Sequence, residues 1–221
     1  FPHHENEIAQ SCCAHDQTKM AHYWLHNGFV TMNDEKMSKS LGNIIFVTDA
    51  ADQYRGETLR AALLSAHYRA PLDLSDSAMR DARNGLDRLY RAVGDVAASQ
   101  DKVDADFINC LLDDLNTPAA MARLHELARL SNKGDDAAAK ALKASAAVLG
   151  LLQQSADGWS KASDAATDDG LDDAAIDGLI DARKQARANR EFAKADEIRD
   201  QLTDAGIILE DSADGTIWRR R

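Results

Sequence analysis

Lys36-Met37-Ser38-Lys39-Ser40, with Leu41-Gly42-Asn43 directly after it, is the stretch whose residue types and spacing suit chemistry best. Each lysine ammonium is a compact charge on a flexible stem, able to follow negative charge as it moves during phosphoryl-type reactions. A serine-bearing loop that ends in glycine can close over a polyphosphate, with Gly42 as the pivot. Lysine and serine also make ordinary solvated loops, so two isolated lysines would carry little. The complete five-residue string is a much rarer pattern.

A second pair of chemically able residues sits near the start. His3 and Glu7 stand four apart, which on a helix points both side chains from one face. An imidazole and a carboxylate so placed are plausible zinc ligands, and equally a surface hydrogen-bonded pair. Two ligands do not complete a zinc site, and no CxxC follows to supply the others. Cys13 lies six residues past Glu7, about 240° further round the helix. Cys12 and Cys13 are therefore expected to be buried, inert thiols. Near the other end, Asp196 and Arg199 are spaced for an ion pair on a solvated helix face.

The elements that must position these residues follow from pattern. Pro2 suits the first turn of a helix, expected over about His3 to His15. Aromatic and β-branched residues around Gly28 predict a loop entering a buried strand near 28–32, and Asn33-Asp34 turns into the lysine loop. Residues 44–48 read as another extended run, after which Thr48 or Asp49 caps a short helix over 49–54. Thr58 to about His67 is helical, and 68–74 is an extended connector because Pro71 disfavours helix just before it. Ser75 caps a long helix of roughly 76–98, whose Met79, Ala82, Leu86, Leu89, Tyr90 and Val93 recur at three and four. Further helices are expected over about 104–113, from a Thr117 cap with Pro118 at the first helical position to Asn132, and over 136–153. Short loops and small side chains make these four an antiparallel bundle. Residues 154–170 are a flexible acidic linker with Trp159 the only apolar anchor. Helices over 171–188 and 191–204 then lead to a hairpin of strands 207–210 and 216–219.

Composition limits the possible functions. The 221 residues allow one large or two ordinary domains. A net charge of −11 argues against a general nucleic-acid coat or a membrane-surface protein, so any RNA contact must be local and shaped. No apolar run approaches the ~18 residues of a membrane span, and no signal peptide is visible. Three cysteines, two of them adjacent, do not make a disulfide framework, which points to a reducing cytoplasm.

FPHHENEIAQS, YWLHNGFVTMNDEKMSKSLGN, LRAALLSAHYRAPLDLS and the tail GIILEDSADGTIWRRR follow one another here as they do in the cysteinyl-tRNA synthetases. The chain resembles that family over its whole length, and the five-residue lysine string resembles the KMSKS signature of the class I aminoacyl-tRNA synthetases. The resemblance implies ATP-dependent activation of L-cysteine, with Mg2+, followed by transfer to tRNA(Cys). It gives Lys36 and Lys39 the ATP phosphates as pyrophosphate leaves, Lys39 making the firmer contact. It places His26, Phe29 and Val30 beside the adenine, mostly through backbone. His3 and Glu7 match the family's zinc-binding His and Glu, the remaining ligands being cysteines in a part not present here. Zinc would take the substrate thiolate directly, since soft sulfur is preferred to a hydroxyl. Arg187, Asp196, Arg199 and Asp211 match positions that contact anticodon bases, and Phe192 stands where the family often has tryptophan, available for stacking.

The opening, without methionine or lead-in, is expected to be that of a C-terminal fragment, inactive on its own. The expected fold is mainly α. Residues 1–55 form a remnant of a Rossmann-like α/β catalytic domain with the KMSKS loop, and residues 56–153 the helical bundle. After the linker, residues 171–221 form a small α/β anticodon-binding domain. The first segment should expose the face its missing strands would cover. The protein is expected to be a cytoplasmic monomer. Two other readings stand beside this: a non-catalytic tRNA-binding module, and the related ligase that joins cysteine to a sugar amine in mycothiol synthesis, which needs no anticodon.

Overall fold

The chain begins with a helix and a small sheet that need each other little. A computed structural model describes residues 2–32, 35–37, 44–97, 102–162, 171–212 and 215–220. Helix α1 (Pro2–His15) is exposed along most of its length, with only Glu7, Ile8, Ser11 and Cys12 partly covered. Cys13 is exposed and Cys12 half-buried, which corrects the expectation of buried thiols. Among the described residues no element packs extensively on α1, which leaves Cys13 open to solvent. Strand β1 (Val30–Met32) lies at the centre of a three-stranded sheet. It pairs antiparallel with β2 (Glu35–Lys36), Thr31 opposite Lys36.

Residues 44–48 do not form the expected extended run. Helix α2 (Val47–Gln53) begins inside it, with Phe46 at the N-cap position and no side-chain cap. Thr48 and Asp49 therefore lie within the first turn, where the Thr48 hydroxyl donates to the neighbouring Asp49 carboxylate instead. Helix α3 (Gly56–Leu64) buries Thr58, Ala61 and Ala62. Strand β3 (Leu72–Asp73) comes from the extended connector and pairs parallel with β1.

The helical body follows. Ser75 caps α4 (Asp76–Val93) by accepting from the Ala78 N–H. The helix ends at Val93, not near 98, because Gly94 takes a left-handed φ of +55° and its N–H closes on the Tyr90 carbonyl at 3.0 Å. Asp104 caps α5 (Ala105–Leu112). The cap of α6 (Thr117–Ser131) is Asn116 rather than Thr117; its side-chain oxygen accepts from Ala119 N–H at 3.2 Å, and Pro118 still occupies the first turn. Asp135 caps α7 (Asp136–Val148), which ends short of 153 when the Leu151 N–H folds back onto the Ala146 carbonyl. These helices enclose one core of Leu86, Leu89, Phe107, Leu124, Leu142 and Leu151.

The same core reaches into the stretch read as a linker. Residues 156–161 form α8 (Ala156–Lys161), and Trp159 is only 1% exposed. Its ring stacks on Tyr90 at 4.6 Å and its indole N–H donates to Asp87 at 2.7 Å. A buried aromatic fixed this way holds the first part of the stretch to the body; residues 163–170 lie outside the described residues. The last unit has its own small core of Ile176, Ile198, Leu202, Ile207 and Trp218. It consists of α9 (Asp173–Ala188), α10 (Phe192–Asp204) and the antiparallel hairpin β4 (Ile207–Ser212) with β5 (Gly215–Arg220). The described residues are mainly helical, as the sequence implied. No described helix is long and apolar enough to cross a membrane.

Candidate lysine-strand site and nucleic-acid face

The sheet that carries Lys36 exists because one backbone passes very close to another. The Gly28 N–H donates to the Tyr68 carbonyl at 2.7 Å, and a Cβ at Gly28 would sit 2.0 Å from the Ala70 oxygen. Only glycine permits that approach. Beyond it, the Leu72 and Leu74 N–H groups donate to Phe29 and Thr31 carbonyls, and the Thr31 hydroxyl donates to Asp73 at 3.1 Å. Phe29 thus has its carbonyl engaged by Leu72 and Val30 lies opposite Leu72 in register, while both side chains are exposed. Lys36 is placed by its backbone, opposite Thr31. Ser38 to Asn43, including Lys39 and Gly42, lie outside the described residues.

What holds β3 in turn is a cluster that pattern reasoning did not single out. His67, Tyr68 and Arg69 all converge on Asp114 in the turn between α5 and α6. Tyr68 donates its hydroxyl at 2.8 Å, Arg69 Nε stands 3.0 Å from the carboxylate, and His67 Nε2 is 2.9 Å from the Asp114 carbonyl. The Tyr68 hydrogen bond, then Arg69, hold the Asp114 carboxyl below the ordinary aspartate range. Asp114 and Leu115 have φ of +52° and +55°, two successive left-handed residues that are not glycine. Such strain persists only where surroundings enforce it. The available signal was Asp113-Asp114-Leu115-Asn116, a run of turn formers before Pro118.

A second unforeseen set ties α3 to the end of the body. The Glu57 carboxylate accepts from the Tyr90 hydroxyl at 2.9 Å and from the Leu152 N–H. Arg55 donates to the Trp159 carbonyl at 2.9 Å and stands 4.0 Å from the centre of its ring. Arg83 stands 4.3 Å from the same ring. Burial, chiefly, pushes the Tyr90 hydroxyl well above its ordinary pKa, so it remains a donor to Glu57.

His3 and Glu7 do share one face of α1, with Nε2 and Oε1 3.9 Å apart, His3 exposed and Glu7 partly covered. Among the described residues no group of three or more His, Cys, Asp or Glu is placed to hold a metal. The two donors present are of the kind zinc accepts, and they amount to half of a four-coordinate set. The next residue along, His4, lies 5.2 Å ring to ring from His26, which brings α1 beside the segment leading into β1.

At the other end, Phe192, Asp196 and Arg199 are exposed on α10, beside the buried Ala195, Ile198 and Leu202, the last two of which belong to the small core. Phe192 is 62% exposed at the first turn of the helix. Arg187 is in the last turn of α9, just before the connection into α10. Arg199 pairs with Asp196 at 3.6 Å and with Asp200 at 3.4 Å, so the solvated ion pair expected from spacing is also present. Asp211 is placed by its backbone in β4, opposite Thr216.

Three family models match the chain in succession. Residues 1–84 match a class I (C) tRNA synthetase catalytic domain, 106–153 a DALR domain, and 168–219 a cysteinyl-tRNA ligase anticodon-binding domain. A cysteine–tRNA ligase of Saccharophagus degradans is 50% identical over 229 residues, taking in 100% of this chain and 50% of that protein. One of Rhodospirillum rubrum is 47% identical over 228 residues, again 100% and 50%. One of Xanthomonas campestris is 50% identical over 229 residues, covering 100% and 49%. The chain spans about half the length of the curated relatives it matches.

Proposed function

Because the chain belongs to the cysteinyl-tRNA synthetase family, we propose that it contributes the lysine loop, part of the zinc site and the anticodon reader to a cysteine–tRNA ligase. That enzyme activates L-cysteine with ATP and transfers it to tRNA(Cys). The observation that carries this is the identity of about half over the whole chain, with catalytic, DALR and anticodon-binding models in that order. The anticodon-binding model stands against a cysteine ligase that has no tRNA to read.

The chemistry asks for positive charge where negative charge grows. As the α-phosphate is attacked, charge collects on the departing β,γ-phosphates, and groups that tighten there lower the barrier. Lys36 and Lys39 do this alongside Mg2+, with Lys39 closer to the leaving group. The β1 backbone from Phe29 to Val30, with His26 before it, borders the adenine. The parallel pair β1 and β3 is the piece of a Rossmann-like nucleotide-binding sheet that carries the loop. His3 and Glu7 would hold zinc together with two further ligands, and zinc there would supply selection of a thiolate over a hydroxyl. Arg187, Asp196, Arg199 and Asp211 read anticodon base edges, and Phe192 stacks on a base. For the division of labour we take residues 1–55 as catalytic, with β3 joining them through β1. Residues 56–153 are the stem-contacting bundle, 154–170 the connection and 171–221 the reader. We take the protein to work in the cytoplasm as a monomer.

The test joins the chain to the half of the Saccharophagus degradans relative that it does not align with. Cysteine-dependent ATP–pyrophosphate exchange is then measured. Lys39→Ala should lower the exchange rate by roughly 100-fold, the size expected for one electrostatic group at the reacting charge. Unchanged exchange would remove Lys39 from this role.

A further inference from the structure

We propose that Asp114 is a positioning residue for ATP: acting through the Tyr68 side chain, it sets where the strand that carries Lys36 stands. The inference rests on the reading of the lysine loop given above, and it adds to that loop a residue of the helical body.

The order of the sheet carries the inference. Among the described residues the strands run β2, β1, β3, and neither β1 nor β2 packs extensively on a helix. Lys36 therefore takes its position from β1, where it stands opposite Thr31, and β1 takes its own from β3 and the residues leading into it. Those leading residues are gripped one after another by the start of α6 and the turn before it. The Thr117 hydroxyl donates to the Ala66 carbonyl at 3.3 Å, and His67 Nε2 is 2.9 Å from the Asp114 carbonyl. The Tyr68 hydroxyl donates to the Asp114 carboxylate at 2.8 Å, and Arg69 Nε stands 3.0 Å from the same carboxylate.

Tyr68 joins the two sides of this arrangement. Its carbonyl accepts from the Gly28 N–H at 2.7 Å, at the entrance to β1, while its hydroxyl is held by Asp114. The Tyr68 ring is fixed further by the His67 ring, stacked 4.8 Å away, and by the Arg69 guanidinium 5.2 Å from its centre. A purely stabilising role fits the cluster poorly. The side chains of Asp114 and Arg69 are 51% and 60% exposed, and ion pairs so placed add little to stability. Yet Asp114 and Leu115 both hold a left-handed φ without being glycine, a costly conformation that surroundings must impose. A strained turn that presents one carboxylate to one tyrosine suits a part that fixes position.

Asp114→Gly tests this, because glycine takes the left-handed turn freely and only the carboxylate is lost. In the whole chain, amide hydrogen exchange at residues 28–32 should quicken roughly tenfold, while residues 119–128 of α6 keep their protection. Tyr68→Phe should do the same, and the double variant should be no faster than either alone, since both cut one link. In the enzyme completed with the half from the Saccharophagus degradans relative, pyrophosphate exchange supplies the second readout. ATP must then select a strand that is correctly placed only part of the time, so its KM should rise roughly tenfold while the rate at saturating ATP stays within about twofold. The KM for cysteine should not move. Asp114→Asn keeps an oxygen for Tyr68 and should recover most of the loss, and Asp113→Asn, at the exposed neighbour, should change nothing. The proposal is overturned by unchanged exchange at residues 28–32, by an unchanged KM for ATP, or by additive effects of the two variants. A lower rate with both KM values unaltered also overturns it, since that is the mark of lost fold alone. The reading of the loop fails separately, when Lys39→Ala leaves pyrophosphate exchange unaltered.

Discussion

Before α3, Phe46, Val47 and Tyr23 are 63%, 83% and 87% exposed, while in the helical body Phe107 and Leu124 are fully buried. The two regions contain similar apolar residues and use them differently. The body's apolar positions recur at helical spacing, and the six helices α3 to α8 close around them within a single stretch of chain. The region from α1 to α2 offers strands of two and three residues, too short to cover their own side chains, and a helix that packs on nothing extensively. Charge divides the same way: Asp104 and Arg123 meet at 2.9 Å and are largely buried, whereas His3 and Glu7 meet at 3.9 Å in solvent. The body holds itself; the earlier region is held by the body.

The largest effect that can break this contrast is a core truncation. Phe107→Ala should cost about 3–5 kcal/mol through lost burial and an unfilled cavity, read from urea unfolding followed by circular dichroism. Phe46→Ala in the exposed region should move the same transition by no more than about 0.5 kcal/mol. Equal losses would mean that the two regions share one cooperative core and that the contrast is false.

The division also explains what could be read from the sequence. Ser75 and the Leu86, Leu89, Val93 repeat announced α4, because a cap and helical periodicity are local signals. The ends were harder: Gly94 stops α4 early, and Asn116 takes the cap from Thr117, since both residues can accept and only the folded turn decides. Trp159 sat in a stretch whose composition reads as linker, and its burial depends on Arg55, Arg83 and Tyr90, far away in sequence. For the same reason the Asp114 cluster, which supports the lysine strand, was invisible. The spacing of Asp196 and Arg199 did foretell their solvated ion pair. That His3 and Glu7 share a face was also legible, but spacing alone could not find further ligands.

A smaller effect tests how the earlier region is held. Gly28→Ala forces a Cβ to within 2.0 Å of the Ala70 oxygen, so the backbones must separate. The Gly28–Tyr68 bond and the β1–β3 pairing should be lost while the core between α4 and α7 is untouched. Hydrogen exchange of residues 28–32 and 72–74 should then speed up by roughly tenfold or more, the signature of local opening, with the thermal transition of the body within a few degrees of its original position. Unchanged exchange would show that the lysine strand has support other than this approach.

The smallest effect concerns the two ion pairs. The Asp104 carboxyl is held below its ordinary pKa of 3.8 first by hydrogen bonding to Arg123, aided by the Phe107 N–H, against the opposing cost of burial. A lowered pKa in the fold means that the unfolded chain binds the proton more readily, so stability falls as pH falls. The contribution is complete above the unfolded value near 4 and disappears as pH drops through the folded one. Asp104→Asn keeps an oxygen for the α5 cap but removes the charge facing Arg123. It should cost about 1–2 kcal/mol at pH 7. As pH falls through the folded value the variant and the original should converge, because the original is then protonated as well. His3→Ala, which removes the exposed pair on α1, should give a pH–stability curve that overlays the original throughout. A separation between those two curves would mean that α1 is anchored to the body by its charges, and the contrast between the regions would then be one of packing alone.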